Sequence, residues 1–193
     1  LALVHDAGRV VSIEMDRELE PVLAAHEADY ANFRYIMGDA LKVPCAQIEE
    51  AAGGAPTVFV ANLPYNVAAT IILDFFERMP ALERAVVMVQ KEVADRIAAA
   101  PGSKVYGAYT VKLALHAQVT GRFEVPPRCF MPAPHVDSAV VRLDRRSLAL
   151  PAGLSISDVC RVADAAFAQR RKTIRNSMGA RGFDKAALDA AFE

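Results

Sequence analysis

Tryptophan is absent from this sequence of 193 residues, and cysteine occurs only three times. Cys45, Cys129 and Cys160 lie far apart and form no Cys-x-x-Cys pair or cluster with histidine, which argues against a disulfide framework or a zinc site. The four histidines stand singly, so we predict no metal site and no catalytic triad. No apolar run reaches the roughly 18 residues of a membrane-spanning helix, and no secretory signal is present at the start. We therefore predict a cytoplasmic protein without a membrane partner.

Net charge is also small, because 22 Lys and Arg residues oppose 23 Asp and Glu residues. This balance argues against a uniformly basic nucleic-acid binder. It hides a local difference: residues 151–193 carry seven basic and five acidic residues, which leaves 15 and 18 for residues 1–150. A window without acidic residues, AQRRKTIRN, contains Arg170, Arg171, Lys172 and Arg175. Such a cluster fits nucleic-acid phosphates, and a solvated helix face is the alternative.

Short β-branched runs alternate with segments of helical periodicity over the first hundred residues. The runs are nearly continuous in apolar character, which is typical of strands buried on both faces. This alternation predicts an α/β fold with a parallel, doubly wound sheet. The predicted strands are Arg9–Glu14, Phe33–Met37, Thr57–Ala61 and Ala85–Gln90, and the predicted helices are Arg17–His26, Ala68–Arg78 and Lys91–Ala100.

A different pattern follows the tripeptide Pro-Gly-Ser at residues 101–103. A predicted helix over Ala108–His116 leads into two strands, Ala117–Val125 and Ser138–Leu143. These strands flank the proline-rich loop PPRCFMPAP, and we predict that they form an antiparallel edge of the sheet.

A change of composition near Leu150–Gly153 indicates a linker. We therefore predict a core domain over residues 1–150 and the start of a small helical domain over residues 151–193, with Ser157 as its N-cap. The opening residues LALV are typical of a helix interior, and the last segment stops without a cap. The chain is thus expected to be a fragment.

The residues that follow each strand carry most information, because ligands of an open parallel sheet bind beyond the carboxyl ends of its strands. The first strand ends at Glu14, followed by Met15, and an acid there is suited to bind the two hydroxyls of a ribose. An acid at this position is also a common helix cap. The second strand ends in Gly38-Asp39-Ala40, whose carboxylate can accept a hydrogen bond from an exocyclic amine, although Gly-Asp is also an ordinary turn.

The third strand ends in Asn62-Leu63-Pro64-Tyr65, the strongest chemical signal in the chain. The Asn62 side-chain oxygen and neighbouring main-chain carbonyls can accept both hydrogens of an exocyclic purine amine, which turns its lone pair toward an electrophile. Pro64 stiffens the turn, and Tyr65 is suited to stack on the base. The alternative is a structural turn with a core tyrosine.

Asn-Leu-Pro-Tyr after a strand resembles the catalytic motif of methyltransferases that act on adenine N6. IEMD and GDAL precede it, MVQKEVADRI and PGSKVYG follow it, and FMPAPHVDSAV and FAQRRKTIRNSM come later. In this order, over nearly the whole chain, the motifs resemble the bacterial small-subunit ribosomal RNA adenine-N6 dimethyltransferases. The resemblance implies a Rossmann-like class I S-adenosylmethionine-dependent methyltransferase sheet with a small C-terminal helical RNA-binding domain.

On the cofactor side, the resemblance implies that Glu14 binds the ribose of S-adenosylmethionine and Asp39 its adenine amine. Met15 and Ala40 would line the adenine, and Asn62 would contact both the cofactor and the target amine. The family's first strand and glycine-rich loop, which bind the methionine part, are missing ahead of the first residue. We expect either that the full protein contains them or that this chain has little affinity for the cofactor.

On the target side, the resemblance assigns catalysis to Asn62–Tyr65, with Tyr65 stacked on the adenine, and makes Phe130 a second aromatic wall of the base pocket. A basic helix from Arg170 to Arg175 would help to hold RNA. The implied function is methylation of adenine N6 in a hairpin loop of small-subunit (16S) rRNA. The implied partner is a 30S-type pre-ribosomal subunit, and the protein is expected to act as a monomer in ribosome biogenesis.

Three alternatives remain open. A large-subunit rRNA adenine methyltransferase of the antibiotic-resistance type shares the core motifs, although KEVADRI and RRKTIRN favour the small-subunit type. A non-catalytic ribosome-assembly factor would use the same fold for binding alone. A nicotinamide-dependent oxidoreductase accounts for Glu14 but leaves Asn-Leu-Pro-Tyr unexplained.

Overall fold

The computed structural model describes residues 2–193, so Leu1 of the LALV segment lies outside the described residues. Helices and strands alternate through most of the chain, as the sequence pattern predicts. The strands are β1 (Val10–Glu14), β2 (Phe33–Met37), β3 (Val58–Asn62), β4 (Arg84–Gln90), β5 (Ala117–Val125) and β6 (Ser138–Arg145). The helices are α1 (Ala2–Asp6), α2 (Glu20–Asp29), α3 (Cys45–Ala52), α4 (Ala68–Arg78), α5 (Lys91–Ile97), α6 (Ala108–Ala114), α7 (Ile156–Phe167), α8 (Ile174–Gly179) and α9 (Lys185–Phe192). Single 3-10 turns occupy Arg17–Leu19 and Pro127–Cys129.

Strand pairing follows the predicted directions where the register is defined. β1 and β2 are parallel, with Glu14 opposite Met37 at their carboxyl ends. β5 and β6 are antiparallel, with an irregularity between Val119 and Gly121. The strand order is β3-β4-β6-β5 in a four-stranded sheet, which leaves β5 at an edge, while β1 and β2 form a two-stranded sheet.

The chain divides into two compact units, Leu1–Val87 and Met88–Glu193, with the boundary inside β4. The segment between β6 and α7 contains neither helix nor strand, in keeping with the linker predicted near Leu150–Gly153. A separate helical domain beginning at residue 151 stays a prediction. None of the helices in residues 2–193 is long and apolar enough to cross a membrane.

Helix α4 supplies much of the core of the first unit. Its apolar residues recur at three- and four-residue spacing, so one face buries Phe75 and Phe76. The Phe75 ring stacks on Phe59 of β3, with ring centroids 4.6 Å apart. The prediction that β3 is buried on both faces is wrong, because Val58 and Val60 are exposed on the side of the strand opposite to Phe59. β1, also predicted as buried, is half-buried along its whole length.

In the second unit, the core runs along the sheet and continues into the C-terminal helices. Val89, Val141 and Leu143 have no exposed surface, because β4 and β6 are interior strands of the sheet order. The last three helices enclose a smaller apolar cluster that contains Met178 and Leu188. These helices therefore bury some apolar surface among themselves.

Two sequence predictions about the C-terminal helices are wrong. The N-cap of α7 is Ser155 and not Ser157, because the Ser155 hydroxyl accepts the Asp158 N–H while the Asp158 carboxylate accepts the Ser155 N–H. The basic segment Arg170–Arg175 is not one helix. α7 ends at Phe167 and α8 begins only at Ile174, after the Thr173 side chain accepts the Asn176 N–H.

Helix α3 is an element that the sequence prediction did not include. It has only eight residues, Cys45–Ala52, and buries only Ile48, so its apolar pattern extends over little more than two turns. Pro44 precedes the helix and Gly53 ends it in the left-handed conformation, at φ 70°. Both are ordinary boundary signals that define this short helix better than its apolar pattern does.

Candidate functional site

The carboxyl ends of β1 and β2 lie side by side in the first unit. Glu14 is opposite Met37, and the Gly38 N–H extends the pairing by donating to the Glu14 carbonyl oxygen at 2.8 Å. Asp39 follows directly. The parallel pairing therefore brings the predicted ribose-binding acid and the predicted adenine-binding acid to one edge of the sheet.

One oxygen of the Glu14 carboxylate accepts hydrogen bonds from the backbone. Its Oε1 accepts the Met15 N–H at 2.8 Å and the Asp16 N–H at 2.9 Å. Oε2 has no hydrogen-bond partner within the part of the chain that the structure describes. Glu14 thus orders the turn after β1. The cap of the following 3-10 turn is Asp16, whose side chain accepts the Glu18 N–H, so Glu14 is not the helix cap that the sequence left as the alternative. Ribose binding by Glu14 stays a prediction. Met15 beside it is 72% exposed.

The loop after β2 is folded around Asp39. Its Oδ1 accepts the Leu41 N–H at 3.0 Å, and its main-chain oxygen accepts the N–H groups of Lys42 and Val43. The Lys42 ammonium lies 3.5 Å from Oδ2. The space beside Gly38 is tight, because a Cβ at that position would approach Val43 Cγ2 to 3.0 Å. Asp39 therefore presents a pre-organised carboxylate on a tight turn.

Arg78, at the end of α4, is a residue of this loop that the sequence analysis missed. Its guanidinium donates to the carbonyl oxygens of Ala40 at 2.5 Å and Val43 at 2.7 Å, and it also pairs with Asp74 one helical turn earlier. Val43, whose carbonyl oxygen accepts one of these bonds, directly precedes Pro44, the residue before α3. The contacts join residues 35 to 38 positions apart, so no local sequence signal could have indicated them.

The Asn62–Tyr65 turn joins β3 to α4. Asn62 is the last residue of β3 and is exposed, while the Leu63 side chain is buried, so only its main chain is available to a ligand. The Pro64 carbonyl accepts the N–H of Val67 at 3.2 Å and that of the first residue of α4 at 3.0 Å. Tyr65 is half-buried. The sequence hypothesis requires that Asn62 and Tyr65 lie outside the core, and both do.

In the second unit, Phe130 follows the 3-10 turn Pro127–Cys129 in the loop between β5 and β6. Its main-chain N–H donates to the Pro127 carbonyl at 3.1 Å, and the residue is half-buried. The next residue, Met131, is fully exposed, and the Met131–Pro132 peptide is cis. Phe130 as a wall of the base pocket stays a prediction.

Three of the four basic residues lie in a loop, and the fourth lies on a helix. Arg170, Arg171 and Lys172 are exposed between α7 and α8, and the Arg170 guanidinium donates to the Lys104 carbonyl at 3.2 Å. This contact is with the main chain of Lys104, a residue that the sequence analysis had not included. Arg175 lies on α8 and is ion-paired with Asp189 of α9.

A family model described as ribosomal RNA adenine dimethylase matches residues 2–191. The chain belongs to this family. Within the ribosomal RNA adenine dimethylase family, the protein named ribosomal RNA small subunit methyltransferase A of Streptomyces coelicolor is 44% identical over 99% of this chain and 67% of its own length. The protein of the same name from Magnetococcus marinus is 40% identical over 99% of this chain and 70% of its own length. This adenine dimethylase chain thus spans about two thirds of the length of such relatives.

Solved structures confirm the predicted fold of this dimethylase-family chain. A dimethyladenosine transferase from Plasmodium falciparum superposes with a TM-score of 0.72 and 26% identity, over 91% of this chain and 61% of that one. The 23S rRNA methyltransferase ErmE superposes with a TM-score of 0.70 and 26% identity, over 98% of this chain and 73% of that one. The fold is therefore the Rossmann-like class I methyltransferase fold.

Proposed function

We propose that the protein is an S-adenosylmethionine-dependent rRNA adenine-N6 dimethyltransferase that modifies a hairpin loop of small-subunit (16S) rRNA. Family membership supports this proposal, together with the Asn62–Tyr65 turn at the carboxyl end of β3. The observation that carries it is that Asn62, at the carboxyl end of β3, is exposed and Tyr65 is only half-buried, so that neither side chain is packed in the core.

The residues after β1 and β2 fit the nucleoside part of S-adenosylmethionine. Glu14 has an unused carboxylate oxygen for the ribose hydroxyls, and Asp39 presents its carboxylate to the adenine amine, with Met15 and Ala40 beside the ring. The cofactor, when bound, supplies an electrophilic methyl group. What the chain must do is hold the target nitrogen in line with that group.

Asn62 is the residue proposed to prepare the target. An adenine N6 lone pair is delocalised into the ring and is a poor nucleophile. A carbonyl oxygen that accepts its N–H groups favours a pyramidal nitrogen, and the cationic product can release its proton to water without a general base. Correct placement of two reacting groups contributes roughly 7–11 kcal/mol to a reaction of this kind.

Aromatic contacts are proposed to hold the flipped-out base. Tyr65 would stack on the adenine, a contact that typically contributes roughly 1–3 kcal/mol. Phe130, on the loop between β5 and β6, would form the second wall. A single-stranded loop is a suitable target, because its bases need little energy to leave the stack.

The RNA backbone is proposed to lie on the exposed cations of the second unit. Arg170, Arg171 and Lys172 share a loop, and the Arg170 guanidinium is held by the Lys104 carbonyl oxygen. Arg175 is assigned a smaller part, because Asp189 already neutralises its charge. The proposed partner is a 30S-type pre-ribosomal subunit bound by a monomer, which places the reaction in the cytoplasm, where ribosomes are assembled.

A large-subunit specificity is the second candidate, since the 23S rRNA methyltransferase ErmE has a similar fold. Identity favours the small subunit: the small-subunit relatives share 40–44% of residues with this chain, and ErmE shares 26%. A non-catalytic assembly factor is the third. It would have no use for the Asn62 amide.

Incubation with labelled S-adenosylmethionine and either small- or large-subunit RNA, followed by mass spectrometry of the nucleosides, tests the proposal. Dimethyladenosine in small-subunit RNA alone is the expected result. Asn62→Ala should abolish methylation while RNA binding persists, and Asn66→Ala, an amide exposed in the same turn, should retain most activity. Methylation of large-subunit RNA only, or equal activity of Asn62→Ala, would contradict the proposal.

A further inference from the structure

A network of four charged side chains lies at the carboxyl end of β4. Lys91, the first residue of α5, is ion-paired through its ammonium with Glu124 of β5, and Asp95 lies 3.8 Å from the same ammonium. Arg122 of β5 contacts Asp95 at 2.5 Å and Glu124 at 4.0 Å. Each cation therefore faces both acids, and the network joins the start of α5 to the end of β5.

The main chain of Lys91 makes a separate connection. Its N–H donates to the carbonyl oxygen of Asp137 at 2.9 Å, and Asp137 is the residue immediately before β6. Glu124 is the last residue but one of β5. Lys91 thus contacts residues on both sides of the loop over residues 126–137, one through its side chain and the other through its backbone.

The loop has few main-chain bonds of its own. Within it, the Cys129 N–H donates to Pro126 and the Phe130 N–H to Pro127. In the described part of the chain, no main-chain hydrogen bond involves residues 131–136. The β5–β6 ladder pairs the two ends of the loop with each other, with Glu124 opposite Ala139 and Val125 opposite Ser138. The contacts of Lys91 link these paired ends to α5. A loop held mainly at its ends has a position that depends on such contacts.

The charge state of Lys91 suits this contact. The hydrogen bond to the Glu124 carboxylate, reinforced by the nearby Asp95 carboxylate, raises the pKa of Lys91 above its ordinary value. The ammonium is therefore fully charged throughout the physiological range. A single exposed ion pair stabilises a protein little. Four charges in mutual contact form a network, which can contribute more than one isolated pair.

We propose that Lys91 is a positioning residue for the target-base pocket, because it ties both ends of loop 126–137 to the start of α5 and so fixes the place of Phe130. This proposal rests on the proposed function in one respect, namely that Phe130 forms a wall of the base pocket. The position of the loop itself can be measured without any assumption about catalysis.

The absence of tryptophan from the sequence provides a direct probe of the loop. Phe130→Trp introduces a single tryptophan into the full chain, whose fluorescence can be excited selectively over that of the five tyrosines. Adding Lys91→Met should raise acrylamide quenching of that fluorophore by about twofold or more and lower its anisotropy, since the loop becomes more mobile. Lys91→Arg, which keeps the charge, should restore most of the protection.

Lys112→Met is the matched control, because Lys112 also forms an ion pair between two elements of this unit, with Asp164 at 2.7 Å. It should leave the quenching unchanged. If Lys91→Met has no effect on quenching, or if both variants raise it equally, Lys91 does not position the loop and the proposal fails.

Methylation kinetics in the chain with native Phe130 then test the functional part. Lys91→Met should raise the KM for RNA about fivefold while kcat changes less than about twofold, and Lys91→Arg should recover the KM. Because Glu124 is the proposed partner, Glu124→Gln in the Lys91→Met background should add little. Greater loop mobility with unchanged KM would overturn the link to the base pocket. If the full-length protein methylates no RNA in any form, the proposed function is refuted, while the quenching result would still decide whether Lys91 holds the loop.

Discussion

Glu14 illustrates how one side chain can serve both structure and binding. Oε1 orders the turn after β1 by accepting two N–H groups, and Oε2 has no partner in the described chain. A carboxylate held in this way loses little further freedom when it binds a ribose, which lowers the entropic cost of recognition. Glu14 thus accepts hydrogen bonds from the turn, and its role as a charged acceptor for the ribose is the one that we propose.

Glu14→Gln separates these two roles, because the amide oxygen can still accept the Met15 and Asp16 N–H groups while the negative charge is removed. We expect the Kd for S-adenosylmethionine to rise about tenfold, since hydrogen bonds to charged groups typically contribute about 1.5–3 kcal/mol. Titration calorimetry measures the Kd, and the Tm should change little. Glu18→Gln, an acid in the following 3-10 turn, is the control. An unchanged Kd would remove Glu14 from the cofactor site.

Arg175 shows why a basic cluster cannot be interpreted from its residues alone. The sequence groups it with Arg170, Arg171 and Lys172, but α8 places it against Asp189 of α9. The ion pair is made by a residue 14 positions away, which no local pattern indicates. The same cationic side chain thus supports helix packing here, while its neighbours remain exposed.

At the level of elements, the start of α7 is defined by a reciprocal pair of contacts between Ser155 and Asp158. The serine hydroxyl accepts the Asp158 N–H, and the carboxylate accepts the Ser155 N–H at 3.0 Å and its hydroxyl at 2.6 Å. Such a capping box satisfies donors that the first helical turn leaves unpaired. It explains why this helix begins before the serine that the sequence had indicated.

Ser155→Ala should lower the Tm by about 2–4 °C, because loss of a serine cap costs about 1 kcal/mol in a chain of this size. Ser157→Ala is the matched control and should have little effect, since that hydroxyl is not the cap. Differential scanning calorimetry measures both. A larger effect at Ser157 would contradict the capping assignment.

The pH dependence of this cap follows from Asp158. Hydrogen bonds from Ser155 lower the pKa of the Asp158 carboxyl below its ordinary value. Its contribution to stability is therefore fully present above the unfolded-state pKa of about 3.9 and is lost as the pH falls through the lower folded-state value. The difference in Tm between the unmodified chain and Ser155→Ala should accordingly shrink below about pH 4.

At the scale of the whole molecule, the overall charge conceals the surface that we assign to RNA. A net charge of −1 gives no general attraction to a polyanion. Binding must then come from a small number of local phosphate contacts, and its salt dependence should be correspondingly modest. The exposed residues of the loop between α7 and α8 are the candidates for these contacts.

The double substitution Arg171→Ala and Lys172→Ala should reduce the slope of log Kd against log salt concentration by about 1.4–1.8, if each residue neutralises one phosphate. Arg175→Ala should change the slope much less, because that guanidinium is already paired with Asp189. Fluorescence anisotropy of a labelled small-subunit hairpin over a range of salt concentrations measures the slopes. Equal slopes in all variants would exclude this loop from the interface.

Local patterns were enough to predict much of the fold. α4 has the predicted bounds, Ala68–Arg78, because a strongly amphipathic segment of eleven residues has few alternatives. β2 and β5 also have the predicted bounds, Phe33–Met37 and Ala117–Val125. α3 was missed, although Cys45, Ile48 and Ala52 recur at helical spacing, because a segment of eight residues is short for such a pattern to indicate a helix.

The sequence by itself determined the identity and order of the proposed chemical groups: an acid after each of the first two strands, and an amide and an aromatic ring after the third. These groups occupy strand ends, and the chemistry of a strand end can be recognised from its own few residues. Tertiary structure alone decided that Arg78 holds the loop after β2, that Lys91 contacts both sides of loop 126–137, and that Arg175 is paired. Such contacts join residues that are distant in sequence, and their partners are selected by the packing of the folded chain, which local patterns do not encode.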